Sequence, residues 1–175
     1  FSLYVSTETT ILWEDNYCAC VLKLAGIVTK GHGKYTLESA CANRLVKSPL
    51  DDVLKTPLAV HRLDKATHGP VIFAKTTSAA SGLGNAFEKR EISKVYLALI
   101  EGTPLINSST VRIEIDGKEA HSEIEIIGST SWPIFGSATL VKVYPKTGRT
   151  HQIRKHLACM GHPVLGDQLY SGDLE

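Results

Sequence analysis

Short apolar stretches separated by polar turns recur along this 175-residue chain, with few helical runs between them. That succession favours an α+β fold over a doubly wound parallel sheet. Thr10–Trp13 and Ala19–Leu24 read as strands around the polar turn Glu14-Asp15-Asn16, and Gly31-His32-Gly33 marks a loop. Thr36 is expected to cap a helix over Leu37–Val46, with Leu37, Ala40, Cys41 and Leu45 at helical spacing. Leu58-Ala59-Val60 begins a strand expected to be buried and to run into His61-Arg62-Leu63-Asp64. A turn with Gly69 and Pro70, a strand over Val71–Ala74, a helix over Ser78–Arg90 and a strand over Ser93–Ile100 follow. Val111–Ile115 and Ser122–Ile127 pair across the Asp116-Gly117 turn, and Ala138–Tyr144 is a further strand. Thr150 suits the N-cap of a helix ending near Met160, with Gly161 beyond it and Pro163 as its stop. No repeat, low-complexity tract or linker interrupts the series, so residues 1–175 are expected to form one domain.

Hydrophobic residues at 43% and charged residues at 21% exclude a disordered or membrane-spanning class, and no apolar run approaches the roughly 18 residues that a span requires. The chain shows no signal-peptide pattern and begins at Phe1, so a trimmed N-terminus is expected. Cys18, Cys20, Cys41 and Cys159 match neither zinc spacing nor a disulfide scaffold and read as reduced thiols in a cytosol-like compartment; in a eukaryote the nucleus or mitochondrion stays open. A net charge of +1 hides an uneven distribution. From Leu140 to Gly166 the chain carries Lys142, Lys146, Arg149, Arg154 and Lys155, with His151, His156 and His162, and no Asp or Glu. A basic strip of this kind suits phosphates, and a solvated basic face is its bland counterpart.

Asp64 stands out by position, at the end of an apolar run where a turn begins. A mere Asx turn is the ordinary role for such an Asp, but His61 and Arg62 beside it make three polar residues continue a core-like strand. The second cluster is Gly148-Arg149-Thr150-His151-Gln152-Ile153-Arg154, a dense polar helix start with N–H groups suited to an anion. Tyr96 shares a strand face with Lys94 and Ala98, where core packing and a functional role compete equally. His68 and His121 have no ligand-like spacing, so no metal is expected.

These residues carry a resemblance. His61-Arg62-Leu63-Asp64 with Thr67 and Gly69 resembles the H-R-L-D-x-x-T-S-G signature of RluA-type pseudouridine synthases. Lys94-Val95-Tyr96-Leu97-Ala98 is similar to the family's K-x-Y-x-A element. Gly148 to Arg154, His156-Leu157, Gly161-His162-Pro163 and Gly166-Asp167 are similar to G-R-T-H-Q-I-R-x-H-L and G-H-P-x-x-G-D. The elements stand in the family's order from about Ile11 to Gly172. His before R-L-D, and Thr150-His151 rather than Asn-Arg, separate the chain from the sister RsuA type. Departures are His68 in place of Ser and Leu24 in place of Pro in a K-P-x-G element.

The resemblance implies a mixed, mainly antiparallel sheet flanked by helices, with a cleft across its middle, and isomerisation of uridine in structured transfer or ribosomal RNA without metal or cofactor. It implies Asp64 as essential carboxylate, with Arg154 paired to it to keep it charged and aimed, and Tyr96 stacked on uracil. Arg62 is expected to help displace the target nucleotide, and His61, Thr67, Arg149, Thr150, His151, Gln152 and Lys155 to contact RNA. The protein is expected to act as a monomer away from membranes. The chain is expected to be a catalytic domain that stops short of its usual C-terminal part, with no S4-like domain before Phe1. A non-catalytic RNA-binding module and a metal-dependent hydrolase using His61, Asp64 and His151 are the competing classes.

Overall fold

The computed structural model describes residues 9–31, 35–105, 107–133 and 136–171; His32 and Gly33 of the expected loop lie outside them. The chain forms two compact units, Phe1–Glu91 and Ile92–Glu175. Each holds a four-stranded sheet, and every strand pair in both is antiparallel, which bears out the α+β expectation.

In the first unit β1 (Thr10–Glu14), β2 (Cys18–Lys23), β3 (Val53–Ala59) and β4 (Gly69–Thr76) lie in the order β1-β2-β4-β3. Alternation along β2 is strict: Ala19, Val21 and Lys23 point inward and are fully buried, with Cys18, Cys20 and Leu22 between them only partly so. Val71 and Phe73 of β4 complete this core. Helix α1 is shorter than expected, Leu37–Ala42. Thr36 caps it in a reciprocal capping box with Ser39, as its position suggested. Asn43 is its C-cap, and beyond it the Val46 N–H donates to the Glu14 carboxylate (2.8 Å) rather than to a helix carbonyl. Helix α2 (Thr77–Glu88) is capped by the Thr76 hydroxyl and packs on β4.

The strand expected from Leu58 into Asp64 starts and ends earlier, at Val53 and Ala59, and Leu58 is 44% exposed. As an edge strand β3 tolerates Pro57. Val60 N–H still reaches the Ile72 carbonyl (3.1 Å), but the Ile72 N–H is taken by Nε2 of His61 (3.0 Å). An imidazole thus stands in for the next ladder carbonyl, and the backbone is released into an irregular segment at the motif.

In the second unit β5 (Tyr96–Glu101), β6 (Ser108–Ile115), β7 (Lys118–Trp132) and β8 (Gly136–Pro145) lie in the order β5-β8-β7-β6. Asp116 (φ 54°) and Gly117 (φ 70°) join β6 to β7 as a two-residue turn with both φ angles positive, the geometry a right-twisted hairpin requires. Helix α3 (Gln152–Cys159) lies against β6, β7 and β8, closing a core of Ile100, Val111, Ile124, Val141, Val143 and Leu157.

The α3 N-cap is His151, not Thr150: it adopts a left-handed conformation (φ 52°) and makes no side-chain cap bond. Ahead of the helix the Gln152 amide oxygen accepts the Arg149 N–H (3.1 Å), which braces the incoming loop rather than the helix end. At the other end Gly161 (φ 79°) donates to Ala158 O (2.8 Å) and His162 donates to Leu157 O (3.0 Å), the paired bonds of a Schellman motif. A Cβ at Gly161 would meet nothing within 4 Å, so only its backbone conformation demands glycine. Gly161→Ala is expected to lower stability by about 1–2 kcal/mol in urea unfolding through left-handed strain alone; an unchanged midpoint would show that the turn relaxes.

Candidate active site

Asp64 lies in the first unit, half-buried, and both of its neighbours are fixed. Leu63 is buried, donating its N–H to Thr29 Oγ1 (3.1 Å) while that hydroxyl donates to the Leu63 carbonyl (2.9 Å). On the other side the Lys65 carbonyl accepts from Gly26 N–H (2.7 Å) and from the Lys23 ammonium (3.3 Å). The same ammonium donates to Leu24 O (3.0 Å) and Ile27 O (2.8 Å). Thr67 N–H closes a turn on the Asp64 carbonyl (3.0 Å). The carboxylate therefore projects from a backbone held on each side, as a side chain that must meet a substrate atom requires. Burial lowers the Lys23 pKa, and the nearby Asp64 charge partly opposes this.

Arg62 is exposed beside this segment, whereas His61 is committed to the fold. Its ring accepts the Ile72 N–H and stacks on Phe87 with centroids 4.7 Å apart.

Tyr96 and Arg154 lie in the second unit. Tyr96 opens β5 and packs with Ala98 against the core, while Val95 and Leu97 are 57% and 64% exposed on the other face. The alternation read from the sequence holds. Arg154 on α3 makes a two-pronged pair with Asp167, Nε to Oδ2 at 2.6 Å and Nη2 to Oδ1 at 2.7 Å, and its guanidinium carbon stands 4.9 Å from the centre of the Tyr170 ring. Asp167 is nearly buried, and the Arg154 hydrogen bonds hold its carboxyl below the usual range against the opposing effect of burial. The Tyr170 hydroxyl lies 3.0 Å from Nδ1 of His151.

Gln152, expected to touch RNA, is put to another use. Its Oε1 accepts from the Thr147 hydroxyl (2.6 Å) and the Arg149 N–H, and its Nε2 donates to His121 O and Ser122 Oγ (2.9 Å each). With its amide buried and saturated, it ties the loop before α3 to β7. Thr150 is exposed; Arg149 is half-exposed and donates from Nε to Glu119 O (3.1 Å).

The basic strip is less bare in space than in sequence. Lys146 pairs with Glu123 (2.8 Å), Lys155 with Asp116 (3.5 Å) and Arg154 with Asp167. The two pairs made by lysines are exposed enough to contribute at most about 1 kcal/mol each.

Sequence reasoning missed Lys23, Thr29, Asp167 and Tyr170. A lysine at the inward phase of β2, after Ala19 and Val21, was a readable sign of a buried cation, and Asp167 is the first acid after the strip. The four cysteines are free thiols, and burial pushes that of Cys41 up to about 12. Among the described residues no group of three His, Cys, Asp or Glu side chains is arranged to hold a metal ion, and no helix is long and apolar enough to cross a membrane.

Against known proteins, the family model described as RNA pseudouridylate synthase matches residues 17–159. The chain is 35% identical to an uncharacterized RNA pseudouridine synthase of Chlorobaculum parvum, over 93% of this chain and 55% of that protein. It is 32% identical to the dual-specificity RNA pseudouridine synthase RluA of Yersinia pestis, over 92% of this chain and 81% of that protein. In fold it is similar to human RNA pseudouridylate synthase domain containing 1, with a TM-score of 0.78 at 23% identity over 96% of this chain and 71% of that one. The chain spans little more than half the length of several curated relatives it matches.

His156 of α3 is fully buried, and among the described residues neither of its ring nitrogens, nor Nε2 of the partly buried His121, has a hydrogen-bond partner. Burial, then the nearby His121, lowers the His156 pKa, so the unfolded chain binds a proton that the folded one refuses. Stability is therefore expected to fall as pH drops below about 6.5, the unfolded value, towards the folded value. His156→Leu should flatten that part of the curve in urea titrations at several pH values; an equally steep variant would place the proton elsewhere.

Proposed function

The chain belongs to the RNA pseudouridylate synthase family, and on that premise we propose that it isomerises uridine to pseudouridine in structured RNA, with Asp64 as the essential carboxylate. The observation that carries this assignment of Asp64 is its fixed setting, in a segment bonded through Leu63 and Lys65 to the stretch after β2. The reaction breaks the bond from N1 of uracil to C1′ of ribose, forms one from C5 to C1′, and moves the C5 proton. Nothing is oxidised, reduced or added, so the balance calls for no redox cofactor or co-substrate. Asp64 serves as nucleophile or base beside C1′ and C2′. Arg154, held by Asp167, supplies a positive charge to the reaction, and Tyr96 stacks on the uracil.

A uridine in a stem must first leave the stack, at a cost of a few kcal/mol, and the exposed Arg62 offsets part of it by filling the gap. Thr67, Arg149, Thr150, His151 and Lys155 supply contacts to the RNA backbone. The substrates are transfer or ribosomal RNA, supported by relatives named for the large ribosomal subunit in Rickettsia bellii and for dual specificity in Yersinia pestis. The protein acts as a monomer in the cytoplasm, or in the nucleus or mitochondrion of a eukaryote.

Asp64→Ala is expected to cut pseudouridine formation in unmodified transfer- and ribosomal-RNA transcripts by at least about a thousandfold, with RNA binding and circular dichroism retained. A fully active variant would overturn the role of Asp64, and a parent protein that binds these transcripts without modifying them would favour a binding module. RNA affinity should fall steeply with salt, and Arg62→Ala or Arg149→Ala should each reduce the slope of log affinity against log salt by about one. A slope that stays the same removes that residue from the phosphate footprint.

A further inference from the structure

We propose that Asp167 and Tyr170 form a clamp that fixes the Arg154 guanidinium relative to the strand carrying Tyr96, which makes Asp167 a positioning residue for the reaction. This rests on the reading that Arg154 serves uridine isomerisation.

An arginine on a helix surface has a long, flexible side chain, and a group that must meet a reacting centre repeatedly cannot be left to sample its rotamers. Here two contacts act along different directions. The Asp167 carboxylate meets the guanidinium edge-on at 2.6 and 2.7 Å and fixes its position and in-plane rotation. The Tyr170 ring, 4.9 Å from the guanidinium carbon, lies against it and restrains its tilt.

The carboxylate also builds the turn that delivers the ring. Its Oδ1 accepts the N–H groups of Leu169 (3.0 Å) and Tyr170 (3.2 Å) in addition to Arg154 Nη2. The turn is itself tied to β5: Glu101 N–H donates to Pro163 O (2.9 Å), Leu165 N–H to Leu99 O (2.8 Å), and Asp167 N–H reaches back to Val164 O (2.9 Å). An isolated antiparallel bridge from Val164 to Ile100 thus fixes this stretch beside β5, and its continuation grips a side chain from α3. Because Tyr96 opens β5, the clamp references the guanidinium to the phenol through one backbone path.

The test joins kinetics to a direct readout of the side chain. In Asp167→Asn the neutral amide keeps the shape and loses the paired acceptors. The rate constant on an unmodified transfer- or ribosomal-RNA transcript is expected to fall about 10- to 100-fold with little change in KM, because the loss is one of placement. Asp167→Glu should restore part of it. Asp167→Asn combined with Arg154→Ala should be no slower than Arg154→Ala alone. By NMR, the Arg154 Nε–H signal of the RNA-free protein should exchange slowly with water and become fast in Asp167→Asn. Should that variant not fold, Tyr170→Leu read by the same signal decides, fast exchange supporting the clamp and unchanged exchange refuting it. A fully active Arg154→Ala would sink the role of the arginine itself. A slow Arg154→Ala beside an active Asp167→Asn with an unchanged Arg154 signal would sink the clamp alone.

Discussion

The Lys23 ammonium, buried at the inward phase of β2, holds the segment on which Asp64 rides. Taking a cation out of water costs several kcal/mol unless hydrogen bonds replace its hydration. Here three backbone carbonyls do so, those of Leu24, Ile27 and Lys65. Two of them belong to the stretch that leaves β2 and the third to the residue after Asp64. One point charge therefore gathers two loops that have no regular secondary structure to hold them. Thr29 does the same on the other flank with a single hydroxyl.

Regular pattern was the legible part of the sequence. Strand alternation correctly placed the strands on each side of the motifs, the Asp116-Gly117 turn, and the inward face of β5. The errors fall where side chains replace backbone partners. The strand before Asp64 ends sooner than its apolar pattern suggests, since no periodicity reveals that the His61 ring occupies the Ile72 N–H. Helix α1 stops at Ala42, short of the expected Val46, whose N–H turns to Glu14, far back in the chain. Thr150 is the cap that the residue types suggest, yet the cap position falls to His151, which makes no side-chain cap bond. The first two involve contacts between residues 11 and 32 positions apart, which a local reading cannot see.

The same distinction divides the polar run before and within α3. From sequence alone Arg149, Thr150, His151, Gln152 and Arg154 form one dense cluster, with Arg154 expected at the carboxylate and the others on RNA. Burial separates them: the Gln152 amide is saturated inside the unit, Thr150 faces solvent, and Arg154 is held by partners beyond the end of the helix. A motif that looks functional throughout is thus partly scaffold. The buried amide holds the loop in the shape from which its neighbours project.

Strand β6 forms the outer edge of the second sheet. Thr110, Arg112 and Glu114 repeat along it at every second position, and all are exposed. Alternate charged and hydroxylated side chains on such a margin discourage a foreign strand from lengthening the ladder, since a partner would have to shed their hydration to dock. The hairpin is thereby kept from seeding fibrous stacking at high protein concentration, an inherent safeguard in a fold whose every named pairing is antiparallel.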